Sequence, residues 1–245
     1  MSKTKYDIRF LSAFWLKILA CLFMLIDHAG ILLFQNELWM RYAGRLAYPL
    51  FAYFIAEGCR YTKSRTKRFL SVFILAMICE LAYIILEGYY GNILLTFSIS
   101  ILLIYLLQES KKVIKKNDIF SVLIPTLFVL SVLAVWIFCK HIGVDYGFFG
   151  IMTPVLVTLF DSPDAKKEEY QTVKSRVLSL LMLAVGLSLL SFVNPVLDFQ
   201  FYSLFSLILI ALYNGKKGKV NFKYGFYVFY PLHLVVLWVI AIYFA

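Results

Sequence analysis

The sequence predicts an all-α fold, a polytopic transmembrane helical bundle of about nine spans with its N-terminus inside. Three observations predict it. Of the 245 residues, 62% are hydrophobic and only 16% are charged, against about 25% charged in soluble domains. Apolar runs close to the roughly 20 residues of a membrane span recur along the whole chain, separated by short polar loops. The lysines and arginines are confined largely to alternate loops, the asymmetry that sets orientation in a membrane. No polar stretch leaves room for a soluble domain, so residues 1–245 are expected to form a single integral membrane domain, multi-pass in the cell (cytoplasmic) membrane and in contact with the lipid bilayer. The net charge of +10 implies no nucleic acid partner, because the cations lie between apolar runs, as cytoplasmic loops place them.

The first apolar run, near 12–34, follows the basic MSKTKYDIRF. It exceeds the apolar core of about 7–15 residues of a cleavable signal, and is expected to stay as span 1. The second, near 40–59, contains Gly44, Arg45 and Pro49, and the proline is expected to kink it. Runs near 69–87, 92–108, 119–139, 145–160, 176–193, 197–213 and 225–244 complete the set. Several are short for a span at about 1.5 Å rise per residue, so they tilt little, re-enter, or border a cavity. The glycines of VDYGFFG read as a turn into the run at 145–160. With nine spans and an inner N-terminus, all but Lys17, Arg41, Arg45 and Lys140 of the 24 basic residues fall at inner loops. Trp39, Tyr89, Tyr90 and Trp238 are expected in interfacial aromatic belts. Cys21, Cys59, Cys79 and Cys139 stand singly in or beside apolar runs. They are expected to be buried structural thiols, and no metal site is expected.

The polar residues inside these runs carry the functional reading. Asp27 and His28 lie deep in span 1. An ionisable group there costs roughly 2.5–3.5 kcal/mol on insertion scales, and so faces a bundle interior or a water-filled cavity. A neutral imidazole can take a proton near physiological pH, and Asp27 is placed to orient the ring or balance its charge. The alternative is a packing histidine satisfied by a backbone carbonyl. Arg45, in the outer half of span 2, is a planar five-donor cation. It suits a developing oxyanion or a carboxylate, or else an ion pair with Asp27 that fixes helix register. Glu80, Asn92, Thr96, His141 and Asp145 fall at a matching depth in the predicted topology, so a polar layer drawn from several helices is expected. Lys17 lies eleven residues before His28, on the same helical face and about 16 Å away. It either extends a polar stripe toward the cytosol or snorkels to the interface. His233 in FYPLHL has Tyr230 on its face. It either lines a pocket or packs. Glu57 leads into the basic EGCRYTKSRTKR, suited to acidic headgroups or to the phosphates of a nucleotide-type cofactor.

LKILACLFMLIDHAG, MRYAGRLAYPLFAYFIAEGCRYT, VDYGFFG and FYPLHL resemble, in this order, the blocks of the TraX family of membrane proteins. The resemblance covers most of the chain, with the least diagnostic sequence around 105–140. It implies an integral-membrane acyltransferase that moves an acetyl group from cytosolic acetyl-CoA to an amine or hydroxyl of an envelope or extracellular acceptor. The family's founding member is implicated in acetylating a conjugative pilin subunit, a substrate that nothing in this sequence carries over. By position, His28 would be the general base or acyl-relay histidine, supported by Asp27. Arg45 would bind the thioester carbonyl or phosphates, and His233 would line the pocket. Lys17, Glu80, Asp145 and Tyr230 are further candidates for substrate or donor binding. Acetyl-CoA is the expected acyl donor, and the acceptor is a peptide amine or a glycan hydroxyl. Two other classes compete: a proton-coupled transporter or flippase using Asp27, His28, Arg45 and Glu80 as a relay, and a non-catalytic assembly protein whose polar pair locks helices.

Overall fold

Long apolar runs of leucine, isoleucine and phenylalanine become helices in a membrane because only a helix satisfies its own backbone N–H and C=O groups there. The structure, a computed structural model, describes residues 9–86, 91–116, 120–162, 169–193, 198–219 and 223–244. Its helices are α1 (Ala13–Leu32), α2 (Leu38–Gly44), α3 (Ala47–Tyr61), α4 (Arg65–Leu86), α5 (Ile93–Lys116), α6 (Phe120–His141), α7 (Gly147–Val157), α8 (Val173–Val193), α9 (Ser206–Ala211) and α10 (Lys223–Phe244). A 3-10 segment, Asp198–Phe205, leads into α9. Among the described residues the fold is all-helical, apart from an isolated bridge between Leu11 and Tyr213. Tyr89 and Tyr90 of the expected aromatic belts, and Lys3, Lys5, Lys166 and Lys167 of the expected inner loops, lie outside the described residues.

Among the described residues six helices, α1, α4, α5, α6, α8 and α10, are long and apolar enough to cross a membrane. Of the nine apolar runs expected to span, three do not form full-length helices among the described residues. In the run at 40–59, Pro49 has no N–H to donate to the carbonyl of Arg45. The helix breaks there into α2 and α3, and the Leu46 N–H bonds to the Ala43 carbonyl at 3.1 Å. The run at 145–160 yields only α7, which begins after a left-handed turn with Tyr146 at φ 60° and Gly147 at φ 57°. The run at 197–213 divides into the 3-10 segment and the short α9. Irregular backbone at membrane depth is tolerated where protein buries it or a cavity borders it.

Exposure supports the membrane assignment. α6 buries none of its side chains, and Val122, Leu123, Leu127, Leu130, Leu133 and Trp136 are all exposed. Soluble monomers rarely expose apolar patches above a few hundred Å². A helix that is apolar on every side suits a hydrocarbon solvent, and the chain is a multi-pass membrane protein.

The described residues form two compact units. One combines residues 1–51 with 191–245, the other spans 52–190, and the divisions fall within α3 and α8. In the first, α1 packs on α2 and on α10. Gly44 is the contact point with α1, since a methyl group there would collide with the Asp27 side chain. Gly44→Ala is expected to destabilise the protein by about 1–3 kcal/mol through overpacking, read as a lower melting temperature in detergent. In the second unit, α5 packs on α4, α6 and α7, and Leu103, Ile104, Ile151 and Leu183 form part of a fully enclosed apolar core.

Candidate functional site

Asp27 comes from the middle of α1, where its carboxylate is buried, 8% exposed. Two arginines from the broken second run enclose it. Arg41 Nη1 donates to Oδ1 at 2.6 Å, and Arg45 Nη2 donates to Oδ1 at 3.1 Å and Oδ2 at 2.9 Å. Arg41 and Arg45 stand one helical turn apart, so α2 and the residue that caps its C-terminus can present both to one side chain on α1. Phe199 lies beneath the two guanidiniums, 5.8 Å from Arg41 and 5.4 Å from Arg45. Arg45 Nη1 also reaches Gln200 Oε1 at 3.5 Å. Two cations thus share one carboxylate.

His28 points elsewhere. Neighbouring helical residues diverge by about 100°, so the ring is not held by Asp27. Its Nδ1 lies 2.7 Å from His233 Nε2 on α10, and the rings stack with centroids 5.0 Å apart. His233 Nδ1 lies 2.8 Å from the Phe229 carbonyl. A carbonyl only accepts, so His233 carries its proton on Nδ1, and a neutral His233 presents a lone pair on Nε2. His28 Nδ1–H donates to that lone pair. A neutral His28 is then left with its basic lone pair on Nε2. Phe229 stacks on His233 at 4.8 Å, and Tyr230 meets it edge-on at 5.9 Å. His233 and Tyr230 are buried, while His28 is half-buried.

Lys17 is half-buried, and its Nζ lies 5.8 Å from the Phe226 ring. Between α1 and α10 is an apolar pocket of about 220 Å³, lined by Ile18, Cys21, Leu22, Leu25, Phe226 and Phe229. The space beside Phe229 on this side is therefore a place for hydrocarbon, and it supplies no polar lining to the stripe expected from Lys17 to His28.

Glu80 and Asp145 belong to the second unit. The Glu80 carboxylate accepts from the Gly91 N–H at 3.0 Å, the Asn92 N–H at 3.0 Å and Asn92 Nδ2 at 2.7 Å. Asn92 Oδ1 in turn accepts from the Leu94 and Leu95 N–H groups at the start of α5. Glu80 thus ties down the turn that enters α5, including Gly91 at φ +68°, a conformation that glycine adopts without a Cβ penalty. Asp145 joins through its backbone. Its N–H donates to the Gly91 carbonyl, and its carbonyl accepts from Thr96 Oγ1 at 2.7 Å. His141 is exposed at the end of α6. Glu80→Gln keeps the shape but removes the charge and one acceptor oxygen. It is expected to cost about 1–3 kcal/mol of stability while leaving ligand affinity unchanged, measurable by thermal denaturation beside a binding isotherm.

The basic run after Glu57 is mostly engaged within the protein. Arg60 clasps Asp161 in a bidentate pair at 2.7 and 2.8 Å and also donates to the Val157 carbonyl and Ser179 Oγ. Lys111 Nζ donates to the Thr158 and Asp161 carbonyls. Burial, then the neighbouring Asp161 charge, raises the Tyr170 phenol above its ordinary range, so it remains neutral where it stands 5.4 Å from Arg60. Arg65 pairs with Glu109, and Arg68 donates to the Phe54 and Ile55 carbonyls. Lys63 and Lys67 are the exposed cations of this run. These contacts gather the ends of α3, α5 and α7 with the start of α8. The Glu80 network lies at the other end of α5, about 28 Å away along the helix, roughly the thickness of a hydrocarbon core. Cys59 and Cys79 are buried in this unit, Cys139 is half-buried, and Cys21 is buried in the first unit.

The sequence does not single out Gln200, Ser203 or Phe229, and it marks Arg41 only as a basic residue away from the inner loops. Arg41 had a legible signal, its spacing four residues before Arg45. Gln200, Ser203 and Ser206 had another, a polar repeat of three in an otherwise aromatic run.

A family profile described as TraX protein matches residues 12–241. The chain is also 26% identical to a protein of Dichelobacter nodosus described as "Probable fimbrial assembly protein FimC, serogroup H1", over 92% of this chain and 94% of that one. No solved structure matches. The family blocks lie in α1, α2 with α3, the turn into α7, and α10, and the match covers nearly all of the helices described above. The chain belongs to the TraX family.

Proposed function

We propose that this protein is an integral-membrane acyltransferase that uses acetyl-CoA and acts on an amine or hydroxyl of an envelope acceptor, with His28 as general base. The observation that carries this reading is the polarised histidine pair. The chain from the Phe229 carbonyl through His233 to His28 leaves Nε2 of His28 as the proton-accepting atom. An imidazole held by a second group is a recurring arrangement for general-base catalysis. His28 Nε2 takes the proton of the acceptor's N–H or O–H group. The acceptor atom then bonds to the thioester carbonyl carbon, the carbon–sulfur bond breaks, and the leaving thiolate receives the proton from His28. Gain of a proton on Nε2 leaves the His28–His233 hydrogen bond intact, so no ring has to turn during the cycle.

The guanidiniums of Arg41 and Arg45 beside Asp27 suit negative charge developing on the acyl oxygen. The name of the Dichelobacter relative suggests that a fimbrial subunit is an acceptor to test first. The same name, with both arginines committed to Asp27, favours a second reading, in which the protein assists fimbrial assembly without catalysis and the buried ions fix helix register.

Radiolabelled acetyl-CoA given to purified protein in lipid nanodiscs, with envelope extract as acceptor source, separates the two. Label in an envelope component supports the enzyme. Absence of transfer together with absence of saturable acetyl-CoA binding at millimolar concentration refutes it.

A further inference from the structure

The 3-10 segment Asp198–Phe205 has two faces. Phe201, Tyr202 and Phe205 are exposed, while Gln200 and Ser203 are 2% and 0% exposed. A 3-10 helix has about three residues per turn, so residues i and i+3 eclipse, and Gln200 and Ser203 stand on one buried line. Ser206 continues it, and its hydroxyl donates to the Ser203 carbonyl at 2.6 Å. Gln200 and Ser203 differ from Ser206, because Gln200 Nε2 and Ser203 Oγ are buried with no hydrogen-bond partner.

The Gln200 amide turns its oxygen toward Arg45. A guanidinium can only donate, so the amide oxygen faces it and the NH₂ group faces away, with two N–H donors to offer. Native proteins rarely leave a buried donor unsatisfied, and such a group calls for a ligand, a water or a functional reason. The Gln200 donors lie beside the Arg45 guanidinium, so the ligand group that fits is an oxygen acceptor bearing or developing negative charge.

We propose that Gln200 Nε2 and Ser203 Oγ, on the 3-10 segment beside Arg45, are the donors that hold the carbonyl oxygen of the acyl group. This rests on the acyltransferase reading above and assigns that activity its carbonyl-binding residues. It also accounts for the backbone geometry. An α-helix would offset residues 200 and 203 by about 60° around its axis, whereas the tighter 3-10 winding brings them into line.

The test compares Ser203→Ala, Ser203→Thr and Gln200→Leu with the wild type in nanodiscs. Three quantities are measured: turnover with labelled acetyl-CoA, melting temperature, and the shift in melting temperature given by acetyl-CoA beyond that given by CoA alone. CoA lacks the acyl carbonyl, so this difference reports the carbonyl contact. Expected for Ser203→Ala and Gln200→Leu are a fall in turnover of roughly a hundredfold, the size for loss of one oxyanion donor, and loss of the acetyl-specific shift. The ligand-free melting temperature should hold or rise, since an unsatisfied buried polar group has been removed. Ser203→Thr keeps the hydroxyl and should retain both signals. Wild-type turnover with unchanged variants overturns the proposal and leaves the enzyme reading standing. Variants that melt lower and lose turnover in proportion assign these residues a structural role and also overturn it. A wild type that neither transfers nor binds acetyl-CoA overturns the enzyme reading and this inference with it.

Discussion

His28→Ala is expected to reduce acetyl transfer by about 10²–10⁴-fold, the range for loss of a positioned general base, with a melting temperature close to that of the wild type. The separation follows from the local packing. His28 is half-buried, and its ring makes one hydrogen bond, to His233. Its loss leaves the Asp27–Arg41–Arg45 cluster complete, because none of those bonds passes through the imidazole. His233→Ala should be milder. It removes the group that orients His28 and selects its tautomer, but leaves the reacting nitrogen in place, so turnover falls while KM for acetyl-CoA holds. Initial rates at saturating and limiting acetyl-CoA give both parameters. Transfer by His28→Ala within a few-fold of wild type would remove His28 from the mechanism.

The long helices are legible in the sequence because the hydrophobic runs are strong and their loops basic. The three short elements are harder to read, since a run of apolar residues does not reveal where its backbone breaks. Pro49 signalled a disturbance, but its effect is felt at Arg45, where the lost hydrogen bond lies. The reading of Asp27 as a costly buried acid came from its depth. Depth could not say that the partner of His28 would be His233, 205 residues away, rather than its neighbour Asp27. Adjacency in sequence gives two directions on a helix, and tertiary packing decides what each one meets. Glu80 falls at a similar predicted depth to Asp27 and His28. Its carboxylate accepts from the Gly91–Asn92 turn, so depth marks it as buried and polar without identifying its task.

Asp27→Ala should act on stability before chemistry. The substitution leaves two guanidiniums near one another without the carboxylate that compensates them, and breaking a buried ion pair from one side costs about 3–5 kcal/mol. The two arginines should not contribute equally. The Arg45 side chain is 7% exposed and that of Arg41 is 22% exposed, so Arg41 has more access to solvent or headgroups when its partner is lost. A double-mutant cycle reads this directly. The coupling of Asp27 with Arg45 should exceed that of Asp27 with Arg41, and Asp27→Leu combined with Arg45→Met should recover much of the stability lost by Asp27→Ala. If the ion cluster serves only as a helix lock, that double variant also recovers transfer. If the positive charge at Arg45 takes part in acyl binding, as proposed, the double variant folds and remains inactive. Melting temperature and turnover measured on the same preparations decide between these outcomes, and coupling energies of equal size for the two arginines would contradict the unequal burial from which the prediction starts.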